Sequence, residues 1–257
     1  MNKRLIFIKN FFSNLPKKKL TKNKNNFTYS PIKGYFSSID EYLNNFIMDS
    51  ISKEFPKDNI ISEEGNIYDF LDKNLYTWVV DPLCGTTNHV KQIPFYAISI
   101  SVFKNKKIFS GVYDFLRDEF FYTNGISSYL NKKKIHTSDV KKLNQSVIAI
   151  NCNQSSSRAT SLKKLINIFN PPIVRRIKII ESANLELAYV ACGRLDAYIN
   201  PDDKIWDMLG ASEIIKKSGG KCYFFRGNLS QPHNFKGIMA SNRFIHNQIY
   251  KKIYEKF

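Results

Sequence analysis

No run of apolar residues in this chain approaches the ~20 needed to cross a bilayer, and no Cys-x-x-Cys pair occurs among Cys84, Cys152, Cys192 and Cys222. The first absence argues against a membrane partner. The second argues against structural zinc or a disulfide framework and fits a reducing, cytoplasmic compartment. Acids are scarce too, 22 against 39 Lys and Arg, for a formal net charge of +17. Such an excess suits nucleic-acid or anionic-surface binding. Yet the lysine clusters at 17–19 and 132–134 fall on expected loops, with no aromatic residues interleaved. Lys, Asn and Ile are spread along the whole chain, as biased composition would spread them, so no nucleic-acid partner is expected. The basic opening, Met1 to Ile8, is broken by Lys9 and Asn10 without a small-residue cleavage site, which argues against a signal peptide.

Against that background the surviving acids stand out. Trp78-Val79-Val80-Asp81-Pro82-Leu83-Cys84-Gly85-Thr86-Thr87-Asn88 reads as a buried strand ending in an acid on a Pro/Gly-punctuated turn. An acid there can hold a divalent cation, the Leu83 carbonyl can join it, and the donors after Gly85 can face an anion. Two further acidic stretches accompany it: Ser62-Glu63-Glu64-Gly65 upstream, and Lys204-Ile205-Trp206-Asp207 opening a helix that ends at Gly219-Gly220.

A chain of 257 residues can bury a sizeable core. Residues 1–35 form a divergent basic segment, with a short amphipathic turn at Leu5–Phe12 and a solvated linker from Pro16 to Asn26. From Ser38, Leu43, Phe46, Ile47, Ile51 and Phe55 recur at helical spacing until Pro56. Ile60-Ile61 reads as a short strand delivering Glu63 and Glu64. Alternating strands follow at 97–103, 108–113 and 119–122. A second half begins near 146, with helices at 161–169, 183–192, 207–217 and 243–254 and strands at 174–180, 195–199, 221–225 and 238–241. Interleaved helices and strands without repeats predict a layered α/β fold.

The three acidic pieces, in this order, resemble the inositol monophosphatase family of Mg-dependent sugar phosphatases. Its pattern runs Glu-Glu, then Asp-Pro-(Ile/Leu)-Asp-Gly-Thr-x-Asn, then Trp-Asp before a helix closing in Gly-Gly. The resemblance implies one layered α-β-α-β-α sandwich over 36–257, with halves of about 36–143 and 144–257. It also implies hydrolysis of a small phosphorylated sugar or polyol, and a homodimer. Glu63, Asp81 and the Leu83 carbonyl would hold a first Mg2+. Thr86 would orient the attacking water, backed by Asp40. Gly85, Thr86 and Thr87 would meet the phosphate, and Ser182, Ala183 and Asn200 the rest of the substrate.

Three departures cut across this. Where the family has its second motif aspartate, this chain has Cys84, so a second site with Asp81 and Asp207 loses a hard oxygen ligand. A softer ion, Mn2+ or Zn2+, is the alternative occupant. Glu181 stands where the family has glycine before Ser-Ala, adding bulk and negative charge, and Asn200 replaces a family acid. His89, in place of an aromatic, and Cys192, on an apolar helix, read as packing. Two functions therefore remain open: a phosphomonoesterase impaired by Cys84 and Glu181, or a catalytically lapsed relative serving as a binding or regulatory protein for RNA or protein.

Overall fold

A computed structural model describes residues 2–16, 20, 27–30, 34–65, 71–105, 107–152, 156–227 and 234–255. In chain order the elements begin with α1 (Lys3–Ser13), β1 (Phe27–Ser30), β2 (Gly34–Ser37), α2 (Ser38–Glu54), β3 (Asn59–Ser62) and β4 (Thr77–Cys84). Next come α3 (Thr86–Val90), β5 (Ala97–Lys104), β6 (Lys107–Asp114), β7 (Glu119–Thr123), β8 (Ser128–Leu130) and β9 (Lys133–Lys134). The second half holds β10 (Val147–Ile150), α4 (Ser156–Phe169), β11 (Arg176–Lys178), α5 (Ala183–Ala191) and β12 (Ala197–Asn200). It closes with α6 (Ile205–Lys217), β13 (Lys221–Arg226), β14 (Lys236–Ser241) and α7 (His246–Tyr254).

Strands β3 to β9 form one sheet in sequential order, antiparallel except where β3 runs parallel to β4. Its turns use Asn105, Asp118, Gly125 and Asn131 at positive φ, residue types that tolerate the left-handed region. The second sheet runs β11-β10-β12-β14-β13. Alternation along the strands assigns the layers. Trp78 and Val80 pack outward on Leu43, Ile47 and Ile51 of α2, while Val79 faces inward to Leu185 and Leu209 of α5 and α6. Tyr198 and Ile238 of the second sheet face that same inner layer. Ile199 and Met239 face outward to Phe169 of α4 and Ile249 of α7. The result is an α-β-α-β-α sandwich. With both faces of β4 covered, every residue in it is buried, which is why it reads as a continuous apolar run.

The N-terminal segment departs from expectation. The turn expected at Leu5–Phe12 is an 11-residue helix. Ile8 and Phe12 of α1, with Leu15 and Leu20 beyond it, join the core under the first sheet. The 16–26 stretch is thus not simply a solvated linker, since Leu20 is 1% exposed; 17–19 and 21–26 lie outside the described residues. Arg4 anchors the helix: its Nε and Nη2 donate to the two Asp58 oxygens at 2.6 and 2.7 Å, a bidentate pair, and its guanidinium lies 3.7 Å from the Tyr76 ring centroid.

Two elements are shorter than their patterns suggest. The strand expected at 174–180 keeps only Arg176–Lys178, because the chain leaves the sheet to make a left-handed turn at Glu181, φ +63°. The last helix starts at His246 rather than Arg243. There the Asn242 Oδ1 accepts from the Phe244 and Ile245 N–H groups and bends the entry into an Asx turn.

Candidate active site

The motif strand delivers its acid through alternation and a bulge. Asp81 follows Val79 on the inner face of β4, and the pairing with β5 slips by one residue between Asp81 and Cys84. That extra residue re-aims the strand end. Gly85 then takes φ +100°, and a Cβ there would meet the Phe95 carbonyl at 3.1 Å and the Ser182 Cβ at 3.2 Å, so the turn requires glycine. Asn88 ties this loop across the molecule, its Nδ2 donating to the Phe95 and Ile180 carbonyls at 2.9 and 2.6 Å.

Glu63 arrives beside Asp81 because its N–H donates to the Val80 carbonyl at 3.2 Å, extending the parallel β3–β4 pairing. Asp207 arrives at the third position of α6, where its Oδ2 accepts from the Lys204 N–H at 2.7 Å. The three acids strain against one another. Burial, then the charges of Asp81, Asp207 and Glu64, push the Glu63 carboxyl well above the ordinary range. As a whole residue Glu63 is nonetheless exposed to solvent. Burial and the Asp207 charge push Asp81 up to about 8. Burial, opposed by the Lys204 N–H, lifts Asp207 to about 6. Cys84 and Glu63 lie close enough to ease the Asp81 charge, yet neither makes a well-formed hydrogen bond to Asp81 Oδ1, which is buried without a partner.

On the other side of the loop the Thr86 Oγ1 donates to Asp40 Oδ1 at 2.9 Å, with the Leu83 carbonyl a second acceptor at 3.2 Å. Asp40 Oδ2 accepts from both the N–H and the hydroxyl of Ser37, at 2.8 and 2.6 Å. Asp40 therefore closes the start of α2 and fixes the Thr86 hydroxyl at once. Burial raises its carboxyl, opposed by those donors.

The fit to a metal ion differs between the two halves of the cluster. Among the described residues no three His, Cys, Asp or Glu side chains stand in a ready-made ligand group. An unpartnered buried oxygen on Asp81, the facing Glu63 carboxyl and the Leu83 carbonyl suit one hard cation, whose charge would relieve the crowding. The position toward Cys84 does not fit. A sulfur offers no hard oxygen, and burial, then the charges of Asp81 and Asp207, push the Cys84 thiol well above its ordinary value.

The substrate-side candidates divide. The Ser182 hydroxyl donates to the Cys84 carbonyl at 2.9 Å and so braces the motif loop, with Ala183 beside it at the start of α5. Asn200 is held in a buried network with Asp202 and Asp203. It is 1% exposed, its Nδ2 donates to Asp203 Oδ1 and its Oδ1 accepts from the Asp202 N–H. Each end of that amide already has a partner within the protein. Glu181 lies exposed, keeping a backbone conformation that glycine adopts freely. Glu181→Gly is expected to stabilise the fold by about 1 kcal/mol by releasing it, roughly 2–4 °C in Tm; an unchanged or lower melting temperature would show the turn to be unstrained. His89 packs edge-on to Tyr96, and Cys192 is only half-buried, bonded to the Tyr189 carbonyl.

Two residues were invisible to pattern reasoning. Asn184 is fully buried, with Nδ2 donating to Asp81 Oδ2 at 2.9 Å and to the Trp206 carbonyl at 3.0 Å. Its backbone N–H points to the Cys84 sulfur at 3.3 Å. Glu186, between Leu185 and Leu187, is also fully buried; its Oε2 accepts from Asn151 Nδ2 and from the Ser182 N–H at 3.2 Å. A lone acid on a helix apolar all round was the available signal.

Burial, opposed by those donors, pushes Glu186 up to about 8. A carboxyl raised in the folded state lends stability that is full below its unfolded pKa, ~4.3, and lost as pH climbs through the folded value. Glu186→Gln keeps an oxygen for the Asn151 and Ser182 donors. It should flatten the decline in stability between about pH 4.3 and 8 by up to ~1.4 kcal/mol per pH unit, one proton's worth. Parallel Tm–pH curves for the two proteins would refute this.

Sandwich and acid cluster together are those of a sugar-phosphatase type of fold, and the comparisons agree. Residues 8–256 match the model described as the inositol monophosphatase family. The inositol-1-monophosphatase of Bacillus subtilis is 30% identical over 224 residues, covering 84% of this chain and 82% of its own. The Nus factor SuhB of Xylella fastidiosa is 32% identical over 198 residues, covering 75% and 70%. Among solved structures, the Bartonella henselae extragenic suppressor protein suhB superposes with a TM-score of 0.81 at 28% identity, covering 93% of each chain. The Thermotoga maritima IMPase gives 0.80 at 25%, covering 96% of each. The chain belongs to the inositol monophosphatase family. That family includes phosphatases, and among the described residues no helix is long and apolar enough to span a membrane.

Proposed function

We propose that this chain is a metal-dependent phosphomonoesterase acting on small sugar or polyol phosphates such as inositol monophosphate. The observation that carries this reading is the Asp40–Thr86 hydrogen bond set against the three-acid cluster. A threonine beside clustered carboxylates has many structural explanations. A threonine whose proton is pinned to a buried acid has few. With its hydrogen given to Asp40, the Thr86 oxygen is left as an acceptor that can hold a water by one of its protons and so aim its lone pair. A hard divalent cation at Glu63, Asp81 and Leu83, Mg2+ or in its place Mn2+, supplies positive charge for a phosphoryl oxygen and acidifies water. Gly85, Thr86 and Thr87 contribute backbone N–H donors on the same loop. Phosphate release across a panel of sugar and polyol phosphates, with Mg2+, Mn2+ and Zn2+ in parallel, tests the reading. Silence across the whole panel with every metal would reject it.

One observation favours a second reading. The Cys84 thiol stands in the acid cluster where an oxygen ligand is called for, and several similar proteins are named as a Nus factor. A chain that has stopped catalysing would serve as a binding or regulatory protein. Retention of Glu63, Asp81, Thr86 and Asp207 in mutual contact or proximity supports the enzyme instead.

A further inference from the structure

The geometry points to Asn184, rather than Cys84 alone, as the group that closes the second cation position, so that this protein works with a single metal ion. This deepens the metal-dependent reading above and rests on it. Three observations converge on residue 184. Its side-chain nitrogen takes Asp81 Oδ2, its side-chain nitrogen also takes the carbonyl of Trp206 next to Asp207, and its backbone N–H takes the Cys84 sulfur. A second cation would need Asp81, residue 84 and Asp207 as ligands. Asn184 engages Asp81 and the backbone beside Asp207 with one amide group, and residue 84 with its own backbone.

The orientation of that amide follows from chemistry. Of its two neighbours, the Trp206 carbonyl only accepts, as does the Asp81 oxygen in the ionised form a metal ligand takes, so the NH2 end faces them. The opposite end, Oδ1, is buried without a partner. Turning the amide over would set its oxygen against two acceptors, which only a cation between them could hold together. The NH2 group therefore lends its partial positive charge where the second ion would lie. A bridging carboxylate needs one free oxygen for each metal. Here Asp81 Oδ1 is free and Oδ2 is occupied. The thiol and the amide act as a set: one removes a hard ligand, the other fills the space with a donor.

Mn2+ stoichiometry, by equilibrium dialysis or by EPR of free Mn2+, tests this without reference to turnover. The full chain is expected to bind one Mn2+. Cys84→Asp should still bind one, because Asn184 keeps Asp81 Oδ2. Cys84→Asp with Asn184→Ala should bind two. The isosteric Asn184→Asp places a carboxylate oxygen against Asp81, so it should melt lower than wild type without metal, recover with Mn2+, and also bind two. This variant keeps the side-chain volume should the double variant fail to fold. Two ions on Cys84→Asp alone would show that the thiol was the whole obstacle. A single ion on a folded Asn184→Asp would show that the amide fills no cation position. If the unaltered chain binds none, the metal-dependent reading itself falls, and the inference with it.

Discussion

Asp81→Asn is expected to reduce phosphate release by at least ~10³-fold, about 4 kcal/mol of barrier, and to abolish the rise in Tm that Mg2+ or Mn2+ gives the unaltered protein. Asp81 is the most deeply buried of the acids placed to serve the cation: it sits on the inner face of β4, is 1% exposed, and carries the unpartnered Oδ1. An amide in its place offers a neutral oxygen at best. The same substitution removes a buried carboxyl that the metal-free protein must either keep protonated or hold ionised beside Glu63 and Asp207, so the metal-free variant should melt above the metal-free parent. That opposite pair of shifts, activity lost and apo stability gained, distinguishes a ligand from a structural carboxylate. A variant that melts lower and keeps its metal response would remove Asp81 from the metal site. Paired Tm and phosphate-release measurements, with and without Mg2+, decide it.

The sandwich was legible because its strands and helices announce themselves by period. Trp78 to Val80 reads as buried because both faces of β4 are covered, and Leu43, Ile47 and Ile51 read as one helix face because they are. The acids were legible for a different reason: in a chain poor in carboxylates, each sits at the end of an element beside punctuating residues. What failed was anything set by distant contact. Helix α1 looked like a short turn because Lys9 and Asn10 break its apolar run, although Leu5, Ile8, Phe11 and Phe12 share one buried face. Its hold on the core comes from Arg4 meeting Asp58, 54 residues away. No local pattern encodes that.

The site shows the same division. Asp40 and Thr86 were paired only through the family resemblance, since residues so far apart along the chain show no bond by spacing. Asn184 and Glu186 lie on a helix whose apolar composition marks it as core, and polar residues there pass for exposed faces. Their partners, Asp81 and Trp206 for the first and Asn151 for the second, come from other elements. At Asn200 the sequence shows only a polar residue at a strand end, while the fold pairs its amide with Asp203, three residues on.

Thr86→Ala is expected to lower kcat by about 10²–10³-fold with KM little changed, the loss general-base positioning usually brings, and Asp40→Asn by a comparable factor. Thr86 has one hydroxyl proton and two acceptors within reach, Asp40 Oδ1 at 2.9 Å and the Leu83 carbonyl at 3.2 Å. While Asp40 is an acid, its charge wins the proton and leaves the Thr86 oxygen free to hold water. The amide introduced by Asp40→Asn could present NH2 instead, turning the hydroxyl toward the Leu83 carbonyl and occupying the lone pair that water needs. Both single changes therefore break one device, and the double variant should be little worse than Thr86→Ala alone. Stability separates this from simple damage. The amide oxygen of the Asp40→Asn variant can still accept from the Ser37 N–H, so the start of α2 should lose no more than about 1 kcal/mol. Additive losses in kcat, or a fall in Tm that accounts for the lost activity, would reduce Asp40 to a helix cap and leave Thr86 without its partner.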